Sequence, residues 1–518
     1  MLSTQLLHRE WTAFRRPGRL IALAVAALIV IASGLVFTST VDCGDPCPVA
    51  PTAADGSIVN DQFWFHHRGL GPNGVITIRM TSMTGTITYP PPNHDQIVSG
   101  LVPWAKAGII IKDGVRRGSS YAALMMTGRH GVRMQADYRQ DIAGSSGGLS
   151  LGSPRWLRLA RSGDTITGAE SADGRSWQTV GTVRLAGLPE TVQAGLFAAS
   201  PGDLTLREVG LGGAIEEVRF TQATGVFDHV DVRGAADGKN AADAAGGENA
   251  ADAAGGENAA GAAGGKWRSE SVGEMNHTDW EKYHTASGAV EKDGVITVSG
   301  TGDIGPSEGG MTVTTALFGL VIALIIVLVV AARFGARSGT PASRPALAAR
   351  AVVAGGAIFV AGLVAVGVAV TLGLAILTGK GVNLQPLSPV TGARVVIGLA
   401  AVLALCGVLA YGLGVLLRRG WAAILLALAL VAVPYTVAAL PLLLDTVAQW
   451  LLRLTPAAGF AVQQTAVEYP QVTAHYAPSA GYYPLPGWAG FAVLCAYTLA
   501  VLWPAAKRTP AGPSANWR

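Results

Sequence analysis

Apolar positions along this chain fall into six long runs, one near the start and five in the last two fifths, with a polar, glycine-rich stretch between. The runs are Leu20 to Thr38, Met311 to Ala332, Ala351 to Leu377, Val395 to Leu417, Gly420 to Leu444 and Trp488 to Ala506. At about 1.5 Å per helical residue, runs of this length match the roughly 30 Å hydrocarbon thickness of a bilayer. The pattern predicts six transmembrane helices.

Cations set the expected orientation, because Lys and Arg near helix ends are retained on the cytoplasmic side. Arg9, Arg15, Arg16 and Arg19 precede the first run, and Arg333, Arg337, Arg344 and Arg350 join the second to the third. Arg418 and Arg419 join the fourth to the fifth, and Lys507 and Arg508 follow the sixth. The chain is therefore expected in the cell (cytoplasmic) membrane, with both termini cytoplasmic and residues 39–310 outside. The first run exceeds the usual length of a cleaved signal segment, so it reads as a retained span. Residues 1–19 place Leu2, Leu6, Trp11 and Phe14 at near-helical spacing opposite cations, as in an interfacial helix, and residues 507–518 form a cytoplasmic tail.

Between Asp61 and Phe227 the period changes to that of short strands separated by turn residues. Val75 to Met80, Ala107 to Ile111, Tyr121 to Thr127, Val132 to Tyr138, Trp156 to Arg161, Thr165 to Ala169, Trp177 to Val183 and Thr191 to Ala199 all read this way. Turns carry Asp113-Gly114, Ser162-Gly163 and Asp173-Gly174, residues that accept positive φ. The expectation is an all-β sandwich inserted between the first two helices of a multi-domain membrane protein. Residues 240–266 hold a nine-residue Ala/Gly repeat, expected to be a disordered insertion, and Gly294 to Ser299 is expected to complete a sheet after it.

Half of the 518 residues are hydrophobic, 14% are charged, and the net charge is +4, which the cytoplasmic cations largely account for. No basic, aromatic-interleaved patch points to nucleic acid. Of four cysteines, Cys43 and Cys47 follow the first run in Cys-Gly-Asp-Pro-Cys, where an oxidising exterior would let them close a small disulfide loop. Their spacing offers no metal site, and no metal ligand set is read anywhere in the chain. No P-loop is present, no paired carboxylates mark a glycosidase, and no catalytic residue is assigned. Asp, Glu, Lys, Arg and His are absent from the depths of all six runs, which argues against an ion-driven carrier.

The segments Trp104 to Ile109, Ser171 to Trp177 and Ala194 to Phe197 resemble the concanavalin A-like jelly-roll family related to the regulator-of-enolase protein. That resemblance implies a jelly-roll fold. Since such sandwiches stack sugars on aromatic rings, Trp64, Trp104, Tyr121 and Tyr138 are candidate glycan contacts, with His66 and His67 beside them. Leu7 to Arg16, Leu454 to Thr465 and Gly481 to Leu485 resemble the actinobacterial permease subunits of type-2 ABC transporters. This implies an exporter subunit, not an enzyme by itself, paired with a second permease copy or a homologue. A separate ABC ATPase subunit would bind the ATP, no cofactor being held in this chain. The loop carrying Arg333, Arg337, Arg344 and Arg350 would receive the ATPase, although the family's acid before that loop is absent from Ala331 to Gly335. A membrane-anchored protein that binds or senses envelope glycans is the alternative reading.

Overall fold

Strand-forming and helix-forming segments separate cleanly in space. A computed structural model of the chain describes residues 4–44, 47–89, 96–235, 266–273, 286–337 and 343–509. The repeat at 240–265 lies outside the described residues, as do 338–342 and 510–518.

The helical part begins with α1 (Thr4–Phe14) and α2 (Pro17–Thr40), and resumes with α3 (Leu320–Arg337), α4 (Arg344–Gly379) and α5 (Pro389–Leu417). Next come α6 (Gly420–Ala427), a π-helical turn at Leu428–Ala432 and α7 (Val433–Ala438), then α8 (Asp445–Leu454), a 3-10 segment (Pro456–Gln463) and α9 (Gly487–Lys507). Among the described residues six helices are long and apolar enough to cross a membrane: α2, α3, α4, α5, the α6–α7 unit and α9. This is the architecture of a multi-pass membrane protein.

Two expected spans differ in detail. The second starts as a 3-10 turn at Val313–Leu317 and becomes α-helical only at Leu320. The fifth ends at Ala438, six residues short of the expected Leu444. Proline lacks the N–H of the helical ladder and its ring crowds the carbonyl four residues back. The π-turn just before Pro434 accommodates that crowding, and Pro441 lies beyond the helix end.

Glycine brings α3 and α5 close together. A Cβ on Gly335 would sit 2.2 Å from the Tyr411 carbonyl oxygen, and one on Gly414 would sit 2.3 Å from that of Ala332. Small residues thus let the two backbones approach.

The β part comprises β1 (Val59–Asp61), β2 (Phe63–Thr88), β3 (Ile97–Ser99), β4 (Lys106–Lys112), β5 (Tyr121–Thr127), β6 (Val132–Ala136), β7 (Gln140–Ala143), β8 (Arg155–Ser162) and β9 (Thr165–Ser171). It continues with β10 (Gln178–Arg184), β11 (Val192–Ala199), β12 (Asp203–Val209), β13 (Gly213–Ala235), β14 (Arg268–Val272), β15 (Gly288–Lys292), β16 (Val295–Gly300) and β17 (Ile304–Pro306). The main path runs β10-β9-β8-β2-β11-β4-β5-β6-β7. The 26-residue β2 joins its two wings, pairing β11 through residues 64–70 and β8 through 73–80. The wings fold over a shared core that includes Ile76, Ile78, Ile109, Ile111, Leu124, Leu157 and Leu196. The result is a large, nearly closed β-sheet domain.

Strand β6 ends two residues earlier than its apolar pattern suggests. Asp137 and Tyr138 take φ of 43° and 65°, turning the chain into β7. Strand β16 pairs with β13, as expected of a strand that completes the sheet after the repeat.

Strands β13 and β14 lie along the same edge of β2. Ala235 stands opposite Leu70, and Arg268 stands opposite His67. The chain thus advances thirty-three residues while β2 advances three, so one strand line is interrupted by an insertion thirty residues long.

A second core lies on the other face of β4 and β5 and contains Phe63, Phe65, Ile110, Met125 and Phe197. Alternation along β4 sends Ala107, Ile109 and Ile111 into the first core and Lys106, Gly108, Ile110 and Lys112 into the second. Both lysines are fully buried. Lys106 Nζ donates to Asp303 Oδ1 at 2.5 Å and to the Ile304 carbonyl at 2.6 Å. Lys112 Nζ donates to Asp61 Oδ2 at 2.8 Å, to the Ser119 carbonyl at 2.9 Å and to Tyr138 Oη at 3.1 Å. Asp61 and Asp303 belong to the two chain segments that lead from α2 and towards α3, and these segments pair as β1 and β17.

Two outcomes test this construction. Deleting residues 236–265 joins β13 to β14 in register, and the thermal midpoint of the full chain in detergent should move by no more than a few degrees; loss of the cooperative transition would refute the single-strand-line reading. Replacing Lys112 by Met strands the Asp61 carboxylate and should cost about 3–5 kcal/mol in denaturant unfolding. Adding Asp61→Asn to that variant should recover at least half.

Candidate functional site

The four aromatic residues nominated as glycan contacts do not form one surface. Tyr121 is fully buried, Tyr138 is 2% exposed, and their rings meet edge-on at 4.8 Å in the second core. Tyr138 Oη lies 2.8 Å from Asp61 Oδ2, so its task is to satisfy the buried ion pair. Burial pushes the phenol of each well above its ordinary range, with Asp61 adding to the effect. Trp104 is 7% exposed and stacks on His130 at 3.9 Å. In this structure these three are buried and packed against neighbouring side chains.

Trp64 stands elsewhere, on the half-buried face of β2 with His66 and Arg68 at two-residue spacing. On neighbouring β14, Ser269 Oγ is 2.6 Å from His66 Nδ1. The Trp267 ring, just before β14, stacks parallel to His66 at 4.7 Å and receives the Arg68 guanidinium at 5.6 Å. Trp64 Nε1, His66 Nε2 and Arg68 Nε are buried and have no hydrogen-bond partner among the described residues. Burial, and then the adjacent His67, lower the His66 pKa to about 4, so the imidazole is neutral at pH 7. His67 points to the opposite face, between Gln193 Oε1 at 2.8 Å and Glu270 Oε1 at 2.9 Å. The β2–β14 face thus sets a flat ring system and a guanidinium side by side. Trp267 and Arg68 were missed in the sequence because their register across the insertion is not local information.

Inside the helical part, the 3-10 segment Pro456–Gln463 is buried along its whole length. A Cβ on Gly490 of α9 would lie 2.1 Å from the Ala458 carbonyl oxygen, which shows how tightly the segment is threaded. At its end Gln463 Nε2 donates to Tyr435 Oη at 3.2 Å and to Tyr483 Oη. Tyr435 stacks on Phe460 at 4.1 Å, just past the π-turn. Three neutral polar side chains from three separate segments therefore meet within the bundle.

The four arginines expected to receive an ATPase take different roles. Arg333 and Arg337 are exposed at the end of α3. Arg344 Nε donates to the Ala506 carbonyl at 3.2 Å, drawing α4 to the end of α9. Arg350 is only 15% exposed and holds Glu10 Oε2 at 2.7 Å, tying α1 to α4. Arg350 is therefore an internal strut and not a free docking group. Glu10, 3% exposed at its side chain, was missed because a lone acid among four cations reads as surface.

Cys43 and Cys47 form a disulfide with Cα atoms 5.1 Å apart, next to the end of α2. The β part also touches the bundle directly. Leu211 N, at the tip of the β12–β13 hairpin, donates to the Leu442 carbonyl at 2.8 Å. His475 N donates to Glu216 Oε1 at 3.0 Å, and His475 Nε2 lies 2.6 Å from Asp445 Oδ2. A cleft of about 300 Å³ lies beside this contact, lined by Asn60, Glu216, Glu308 and Gln471 among others. Burial raises the Glu308 pKa, and Glu216 and Glu468 raise it further. Among the described residues no group of three or more His, Cys, Asp or Glu side chains is placed to hold a metal ion.

The depressed His66 pKa has a definite sign. Between pH 6.5 and about 4 the unfolded chain takes up a proton that folded His66 refuses, so its contribution to stability is present at neutral pH and is lost as pH falls through that window. Substituting His66→Gln should flatten the acid limb of a tryptophan-fluorescence melting profile by on the order of 2 kcal/mol between pH 7 and pH 4.5. An unchanged profile would refute it.

No family model matches the chain, and no curated protein matches it. Among solved structures, a protein of unknown function from Saccharomyces cerevisiae aligns at 12% identity and TM-score 0.20, covering 32% of this chain and 72% of its own. A mutant GH43 protein from Bacillus licheniformis aligns at 12% identity and TM-score 0.18, covering 24% of each chain. SCP-B, an eqolisin-family peptidase solved with a tripeptide, aligns at 7% identity and TM-score 0.24, covering 47% of this chain and 98% of its own. Likenesses of this size carry nothing about activity.

Proposed function

We propose that this chain is the permease subunit of an ABC-type exporter in the cytoplasmic membrane. Its β domain would be a jelly-roll on the outer side, both termini would be inside, and ATP would be hydrolysed by a separate subunit. The observation that carries this reading is the interior of the helical part: a buried 3-10 segment, a π-turn and the Tyr435–Gln463–Tyr483 cluster. Helices that merely hold a domain in lipid need no polar groups inside, since each unsatisfied one is costly there. Polar clusters and π-turns recur at sites of binding and movement.

The opposite, basic end supplies a place for an outside energy source to act. Arg333 and Arg337 are exposed at the end of α3, and Glu10–Arg350 joins the interfacial helix to α4, so a push at this end would be passed to spans one, two and three. A neutral interior fits an apolar or amphipathic cargo better than an ion. A second permease copy would complete the pathway.

One observation favours the alternative of a membrane-held glycan-binding protein: the Trp64–His66–Arg68–Trp267 face, with its half-buried stacked rings and the Arg68 guanidinium over Trp267. The two readings diverge on purification. A permease should retain a Walker-motif ATPase in mild detergent and raise its hydrolysis rate in vesicles, and Arg333→Glu with Arg337→Glu should weaken that retention about tenfold. A chain that binds a glycan array yet neither retains nor stimulates any ATPase would overturn the exporter reading.

A further inference from the structure

An apolar groove of about 570 Å³ runs between α1–α2 and α4, lined by Trp11, Leu20, Ala27, Gly356, Ala357 and Val364 among others. Ala357 and Ala361 stand four residues apart on α4, a spacing that ordinarily lets a neighbouring helix approach closely. Here both line open space instead.

The groove's length and lining fit a lipid tail. The lining residues of α4 run from Val352 to Val364, which is about 18 Å of helix, close to one leaflet of a roughly 30 Å hydrocarbon layer. The side chains along it are apolar, as a hydrocarbon chain requires.

Charge selects the headgroup. Arg16 caps the start of α2, one turn before Leu20, whose N–H donates to its carbonyl at 3.4 Å. Arg15 and Arg16 are exposed, and neither guanidinium has an ion-pair partner among the described residues. Their neighbours are engaged: Arg9 with Glu10, and Arg19 over the Phe334 ring at 4.5 Å and on the Ala13 carbonyl. Trp11, 38% exposed, sits at the mouth, where an amphipathic ring marks the membrane interface.

We propose that this groove is a binding site for an anionic phospholipid of the leaflet at the basic end, with one acyl chain between α2 and α4 and the phosphate on Arg15 and Arg16. The site requires only that the helices cross a bilayer, so loss of the ATPase partner would leave it standing.

Native mass spectrometry of the full chain, offered equal phosphatidylglycerol and phosphatidylcholine with identical acyl chains, tests it. The expected result is one tightly retained lipid with about thirtyfold preference for phosphatidylglycerol, as two surface arginines would supply. Arg15→Gln with Arg16→Gln should bring the preference close to unity while a lipid is still retained. Gly356→Leu with Ala361→Phe should fill the groove and abolish retention of both lipids. An unchanged preference in the glutamine variant overturns the proposal. So does undiminished retention in the filled variant, or a change in its oligomeric mass that reveals a second copy on this face. Should the filled variant fail to fold, the glutamine variant alone decides.

Discussion

Two buried lysines on one strand hold the molecule's two halves in a fixed relation. Lys106 and Lys112 end β4 on the same face, and each reaches a carboxylate on a different connection to the membrane helices: Asp303 on the way to α3, Asp61 on the way from α2. Burying such pairs is expensive, and their net contribution to stability is often small. What they impose is position. A lysine without its aspartate at this depth would be an uncompensated charge, so only the arrangement with both connections seated across β4 is tolerated. Burial lowers the Lys112 pKa while Asp61 opposes that shift, which expresses the same balance.

Pinning both connections side by side has a mechanical result. Segments β1 and β17 pair over three residues, so the neighbouring ends of α2 and α3 are gathered under one sheet edge instead of hanging on separate tethers. Lys380 adds to the same junction by donating to the Ser39 and Val41 carbonyls at the end of α2. The β12–β13 hairpin then reaches the other side of the bundle at Leu442 and His475. The β domain rests on the helices at two separated places, so tilting of the helices beneath it would load both contacts together.

Much of the framework was legible from residue order alone. Long apolar runs bounded by arginine identify the spans, and alternation with Asp-Gly or Ser-Gly turns identifies strands; Gly114, Gly163 and Gly174 take the positive φ those turns need. The parts that escaped depend on partners far away in sequence. Lys106 and Lys112 look like the solvated ends of a hydrophobic strand until Asp61 and Asp303 are seen beside them. Tyr121 and Tyr138 carry the same local signal as an exposed sugar platform, yet the face they occupy is covered by the segment just after α2. Gln463 reads as the start of a polar loop, although it closes a buried cluster with Tyr435 and Tyr483. Pairing across distance decided each of these.

Polarity in the helical part follows one rule. At the basic end Glu10 neutralises Arg350 and Arg344 ties α4 to α9, while the buried polar groups of the described spans are uncharged: the Tyr435–Gln463–Tyr483 cluster and hydroxyls such as those of Thr38 and Thr498, which bond back into their own helices. Hydrogen bonds among Tyr435, Gln463 and Tyr483 can shift without creating an unpaired charge in a low-dielectric interior. For the exporter proposed above, such an interior would impose little electrostatic barrier on an apolar or amphipathic molecule and would offer a bare ion no ionised partner. In that proposal selection falls to shape and hydrogen bonding, and the exposed arginines at the end of α3 are where outside energy would be delivered.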